Sequence, residues 1–175
     1  MTLTISVKNE KIVGLDLSDE KRVQYLSNKY GDAFLNAIRK AVRAEISRRT
    51  DVYIRQKLKE IDEDFSDLIS EKSWLEGVFI TRGISPEEVR NATVAVVVGK
   101  KAIEQAISDL SIPEDLIPDF QRAVEIARII AWKEAIWKAE AKLEEQVDSM
   151  TLEELIQLNV EALCEDTYSE ILLEV

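Results

Sequence analysis

The side chains in this 175-residue chain that could do chemistry are mainly carboxylates, because it contains no histidine. That absence removes Ser-His-Asp and Cys-His catalysis, imidazole acid–base work and nearly every zinc or di-iron site of the usual kind. A single cysteine, Cys164, cannot close an intrachain disulfide. Within an apolar helical pattern it reads as a small core residue rather than a nucleophile. Glu60, Asp62, Glu63 and Asp64 stand together, and Glu161, Glu165 and Asp166 form a second group. Residues three or four apart share a helix face, so Glu60 with Glu63 or Asp64 has the spacing to hold Mg²⁺. No second acidic motif answers it on a facing helix, and a solvated acidic surface is the preferred reading. Gly99-Lys100-Lys101 resembles part of a phosphate loop. Such a loop needs Gly where Val94 stands and Ser or Thr where Lys101 stands. We therefore expect no catalytic, cofactor or metal site, and a non-enzymatic chain.

Trp74, Trp132 and Trp137 could stack on a base or a ligand. Trp132 and Trp137 lie in an apolar helical pattern, which favours core packing; an exposed tryptophan would mark an interface. Charge carries more information. The net charge is −11, yet residues 21–59 hold eleven basic and three acidic residues, +8, leaving −19 for the remainder. Arg39, Lys40, Arg43, Arg48, Arg49, Arg55 and Lys59 would form a basic ridge on one or two helices. The preferred reading is that this ridge faces acidic residues of the same chain or water. In the functional alternative it touches nucleic-acid phosphates, or the acidic remainder enters a positively charged channel.

These residues must be positioned by long helices, since five Gly and three Pro leave few breaks. Leu3, Ile5 and Val7, then Val13, Leu15 and Leu17, alternate around Lys8-Asn9-Glu10-Lys11, which predicts a β-hairpin. A hairpin is marginal alone and must pack on helices or pair across a subunit boundary. Ser18 should start a first helix that Gly31 ends. Phe34, Ile38, Val42 and Ile46 recur every four residues. Ile54, Leu58, Ile61, Phe65 and Leu68 then follow at steps of four, three, four and three, as in a coiled-coil seam. Thr50 either caps a new helix or lies inside one long helix. Ser85-Pro86-Glu87-Glu88 is a capping signal for a helix to about Asp109, with Val94–Val98 open to a buried-strand reading. Pro113 and Pro118 separate it from a long helix over 119–147. Thr151 and Glu154 should form a capping box on the last helix.

The expectation is a single mainly α domain over residues 1–175: a bundle of five or six helices over 18–175 with an N-terminal hairpin over 1–17. No signal peptide or membrane-length apolar run is visible, so we expect a cytoplasmic protein. The bias toward Ile, Glu, Lys and Arg resembles that of proteins from hot habitats, and an archaeal or archaeal-virus source would fit it. The leading functional expectation is an interaction or structural protein that self-associates through helical and hairpin surfaces. The alternatives are a regulator of nucleic acid or its machinery, and a carboxylate-only metal-dependent hydrolase.

Overall fold

The structure is a computed structural model that describes residues 1–172; the last three positions of the expected 18–175 bundle lie outside it. It is mainly α-helical, with an N-terminal two-stranded hairpin and, among the described residues, eight α-helices rather than five or six. The extra helices arise because the expected seam from Ile54 to Leu68, the helix to Asp109 and the last helix are each interrupted. Contacts group the chain into two compact units, one of Met1–Ile54 with Ile136–Ile171, the other built on Arg55–Ala135.

In the first unit, β1 (Thr2–Val7) and β2 (Glu10–Asp16) pair antiparallel across a two-residue turn, Lys8-Asn9. Both turn residues have positive φ, the geometry whose twist matches that of the strands. Leu3 pairs with Leu15 but Ile5 with Ile12, so β2 carries one extra residue. Gly14, at φ +64°, supplies that bulge. It also corrects the strand reading: Ile12 is buried and Val13 is 64% exposed, because the bulge breaks the period of two. The inward faces of both strands are buried within the chain, so the hairpin needs no partner subunit.

Helix α1 (Glu20–Tyr30) is capped by Asp19, whose side chain accepts from the Arg22 N–H. Ser18 instead donates twice to Asp16. Gly31 ends the helix as expected, at φ +56° with its N–H on the Ser27 carbonyl. Helix α2 (Asp32–Glu60) is one continuous helix, and it passes from the first unit into the second. Thr50 is buried in its interior, where its hydroxyl bonds the Ile46 carbonyl and the Tyr168 hydroxyl. Phe34, Ile38, Val42 and Ile46 are fully buried, each worth about 1.5–3 kcal/mol of apolar transfer. The carboxyl half of α6 (Ile117–Ser149), α7 (Leu152–Gln157) and α8 (Val160–Ser169) complete the unit. Thr151 and Glu154 form the reciprocal capping box, and Asn159 caps α8. The expected last helix is therefore two.

In the second unit the expected seam from Ile54 to Leu68 does not exist as one helix. Helix α2 stops at Glu60, Asp62 turns at φ +56°, and Asp64 caps α3 (Phe65–Thr81). Helix α4 (Pro86–Val97) begins at Ser85, whose hydroxyl accepts from the Glu88 N–H. It ends at Gly99 (φ +71°), well short of Asp109. Val94–Val97 is therefore helix, not strand. Helix α5 (Ile103–Asp109) and a 3-10 turn (Glu114–Leu116) lead into α6.

Candidate functional site

The basic ridge is largely paired within the chain. Arg39 Nη2 donates to the Met150 carbonyl at 2.7 Å, while its Nε is buried without a hydrogen-bond partner. Arg43 meets Asp148 at 2.9 Å. Glu45 accepts from both Arg48 (2.7 Å) and Arg49 (2.8 Å), and these bonds hold its carboxyl below the usual range. Arg49 also reaches Glu161 at 3.4 Å. Lys40 lies exposed on α2, and Arg55 and Lys59 are exposed residues of the second unit.

Several of the acidic residues are likewise engaged, while Asp62, Glu165 and Asp166 lie exposed. Glu60 pairs with Lys57 at 2.7 Å, Asp64 caps α3, and Glu63 joins Glu71 and Glu125 around the Arg122 guanidinium at 2.8–3.2 Å. Among the described residues no three Cys, Asp or Glu side chains form a group able to hold a metal. Lys101, in the failed phosphate-loop motif, pairs with Asp109. Cys164 is buried, and that burial pushes its thiol up, away from the reactive thiolate. No helix is long and apolar enough to cross a membrane among the described residues.

Two apolar features of the second unit remain. The first is a groove of 230 Å³ lined by α3, α4 and α6. Leu75 and Phe79 of α3, Val89 of α4, and Ile126 and Ile130 of α6 give it an apolar wall. Ala123, Ala127 and Ala131 recur every four residues of α6, so one helix face presents small side chains to it. Lys72, Glu76, Arg90 and Glu134 stand among the lining residues, with Arg90 paired to Glu76 at 3.4 Å. Val94 also lines the groove and is 53% exposed.

The second feature is the outer face of α3. Ile69, Trp74 and Ile80 are exposed, Trp74 to 62%. Ser66, Ser70, Ser73, Gly77 and Thr81 are also exposed on α3, as is Asp67 two turns before Trp74, with Glu71 half-buried one turn before it. Neither feature follows from the expected elements, which leave residues 69–81 without a helix. Asp64 at the cap with Leu68, Leu75 and Phe79 at helical spacing was the available signal. Of the three tryptophans Trp132 is buried as expected, whereas Trp137 is 46% exposed, because α6 buries Ile136 and Leu143 beside it instead.

No protein-family model, curated protein or solved structure matches this chain.

Proposed function

We propose that this chain is a non-enzymatic interaction protein that self-associates, with the outer face of α3 as its contact surface. The carrying observation is that one 17-residue helix leaves three large apolar side chains exposed, Ile69, Trp74 and Ile80, in a chain whose residues are 33% charged. Interface cores are depleted of charge and enriched in aromatic residues, and tryptophan is the commonest anchor. The hairpin and the interrupted seam lend no support, since the one is buried within the chain and the other is divided by a turn. A phosphate-binding role for residues 21–59 is less favoured, because Arg39, Arg43 and Arg49 face acceptors of the same chain.

Light scattering after size exclusion tests the proposal over a hundredfold range of concentration. The wild type should exceed its 19.9 kDa monomer mass increasingly as concentration rises. Ile69→Glu with Ile80→Glu, on exposed positions that tolerate charge, should stay monomeric while keeping the wild-type helical signal. A wild type that remains monomeric up to millimolar concentration would overturn the proposal.

A further inference from the structure

We infer that the outer edge of β1 takes up an extended, basic peptide segment of another protein as a third, antiparallel strand. This contact is separate from the α3 surface and does not depend on it. Burial of the hairpin's inward faces leaves its edges uncovered by backbone. Across a two-residue turn the flanking pair, Val7 with Glu10, exchanges backbone hydrogen bonds. Alternation then turns the backbone groups of Leu3, Ile5 and Val7 toward β2, and those of Thr2, Thr4 and Ser6 away from it. Beyond the ladder, among the described residues, the backbone bond at this strand runs from the Leu17 N–H to the Met1 carbonyl, again on the β2 side. The outward N–H and C=O groups of Thr2, Thr4 and Ser6 therefore meet no other backbone group, and the side chains beside them are exposed. Proteins blunt such an edge with lysine, proline or a bulge. Strand β2 carries Lys11 and the Gly14 bulge, whereas Thr2–Val7 carries none of the three. An open edge is met by another extended chain, whose main-chain hydrogen bonds supply the affinity.

The flank of that edge sets the charge of the occupant. A cleft of 560 Å³ opens beside Thr2 and Leu3, with Leu158, Asn159 and Glu161 of the α7–α8 junction also lining it. Its one cationic side chain, Arg49, is already engaged by two other lining residues, Glu45 at 2.8 Å and Glu161 at 3.4 Å. Residues 151–170, which carry the junction, hold six exposed carboxylates and neither Lys nor Arg. Carboxylates alone would draw any cation, and a bare strand edge any extended chain. Together they fit a strand that bears Lys or Arg where it passes Thr2. A second copy fits less well, because it brings its own six carboxylates and a net charge of −11 to the same edge.

Fluorescence anisotropy with synthetic peptides tests this on the full chain. The probe alternates Thr and Val and carries two Lys at its carboxyl end, which an antiparallel strand brings to Thr2; a matched probe carries two Glu there. At low salt the Lys probe should bind saturably and the Glu probe about tenfold more weakly, since exposed ion pairs give way to repulsion. N-methylation of one alternate set of probe residues should abolish binding, and of the other set should leave it, because only one edge of the added strand is used. Thr4→Pro removes one outward N–H without touching the β1–β2 ladder, a position that tolerates proline, and should weaken the Lys probe about tenfold. Glu161→Lys should reverse the preference between the two probes, while Arg49 keeps Glu45 as its partner. Amide exchange at Thr4 and Ser6 should slow when the Lys probe is bound, while Ile5 and Val7 stay as they were. Binding without that protection, equal binding of both probes, or no binding below millimolar concentration overturns the inference. Slower exchange at Thr4 and Ser6 in the protein alone as its concentration rises also overturns it, and makes a second copy the occupant.

Discussion

Arg122 of the second unit meets three carboxylates, Glu63, Glu71 and Glu125. Glu71 donates nothing and accepts two of its hydrogen bonds, at 2.9 and 2.8 Å, and these hold the Glu71 carboxyl below its ordinary value of 4.5 against the opposing pull of burial. A carboxylate depressed in the folded state stabilises above its unfolded pKa and loses that contribution as pH falls through the folded one. The wild type should therefore lose stability as pH falls from about 4.5. In Arg122→Met the Glu71 carboxyl loses the hydrogen bonds that hold it low, so the variant lacks this acid-sensitive contribution. At pH 7 the variant should be less stable by about 1–2 kcal/mol, a value reduced for solvent screening because these side chains are partly exposed. Urea midpoints from pH 7 down to pH 3 would check it: the gap between the two proteins should narrow on acidification. A gap that stays constant would mean that Arg122 acts by packing alone.

The helix ends show which elements can be read from the sequence and why others cannot. Four ends use one hydrogen-bond pattern, in which an N–H returns to a carbonyl five residues back: Glu63 to Leu58, Ile84 to Phe79, Lys100 to Ala95 and Ile112 to Ile107. Each needs a residue of positive φ just before that donor, and here these are Asp62, Gly83, Gly99 and Ser111. The sequence reading leaned on glycine to end helices. Asp62 gave no such signal, so the apolar steps from Ile54 to Leu68 looked like one seam. Gly99 gave it, but the continued apolar pattern outweighed it. The fold class, the capping box and the Gly31 stop were legible because local hydrogen bonds or apolar period set them. The groove was not, because it depends on how α3, α4 and α6 pack, which no single segment encodes. The shared motif predicts opposite signs at two positions. Ser111→Gly should stabilise by about 0.5–1 kcal/mol by relieving a positive φ that Ser111 adopts at a cost. Gly99→Ser should destabilise by about 1 kcal/mol, through backbone strain alone, since no atom lies within 4 Å of the added Cβ. Thermal melts of both variants would decide, and equal signs would refute the shared motif.

At the scale of the whole molecule, the charges that might have mated two copies are spent within each. The +8 segment is partly neutralised by Asp148 and Glu161 from outside it, and the molecule as a whole keeps −11 and a pI near 4.6. Two such copies repel at long range, and the contact proposed for them is apolar. Screening shortens that repulsion from about 30 Å at 0.01 M salt to about 3 Å at 1 M, while contact between apolar side chains is not weakened by added salt. Association through α3 should therefore strengthen from low to high salt. Pairing of opposite charges between copies requires the reverse, because salt screens the attraction. Sedimentation equilibrium in 0.02 M and 0.5 M sodium chloride separates the two. An average mass that rises with salt fits an apolar contact through α3. A mass that falls with salt would return the contact to the basic ridge of Arg39, Arg43 and Arg49, whose internal partners would then have to be exchanged for those of a second copy.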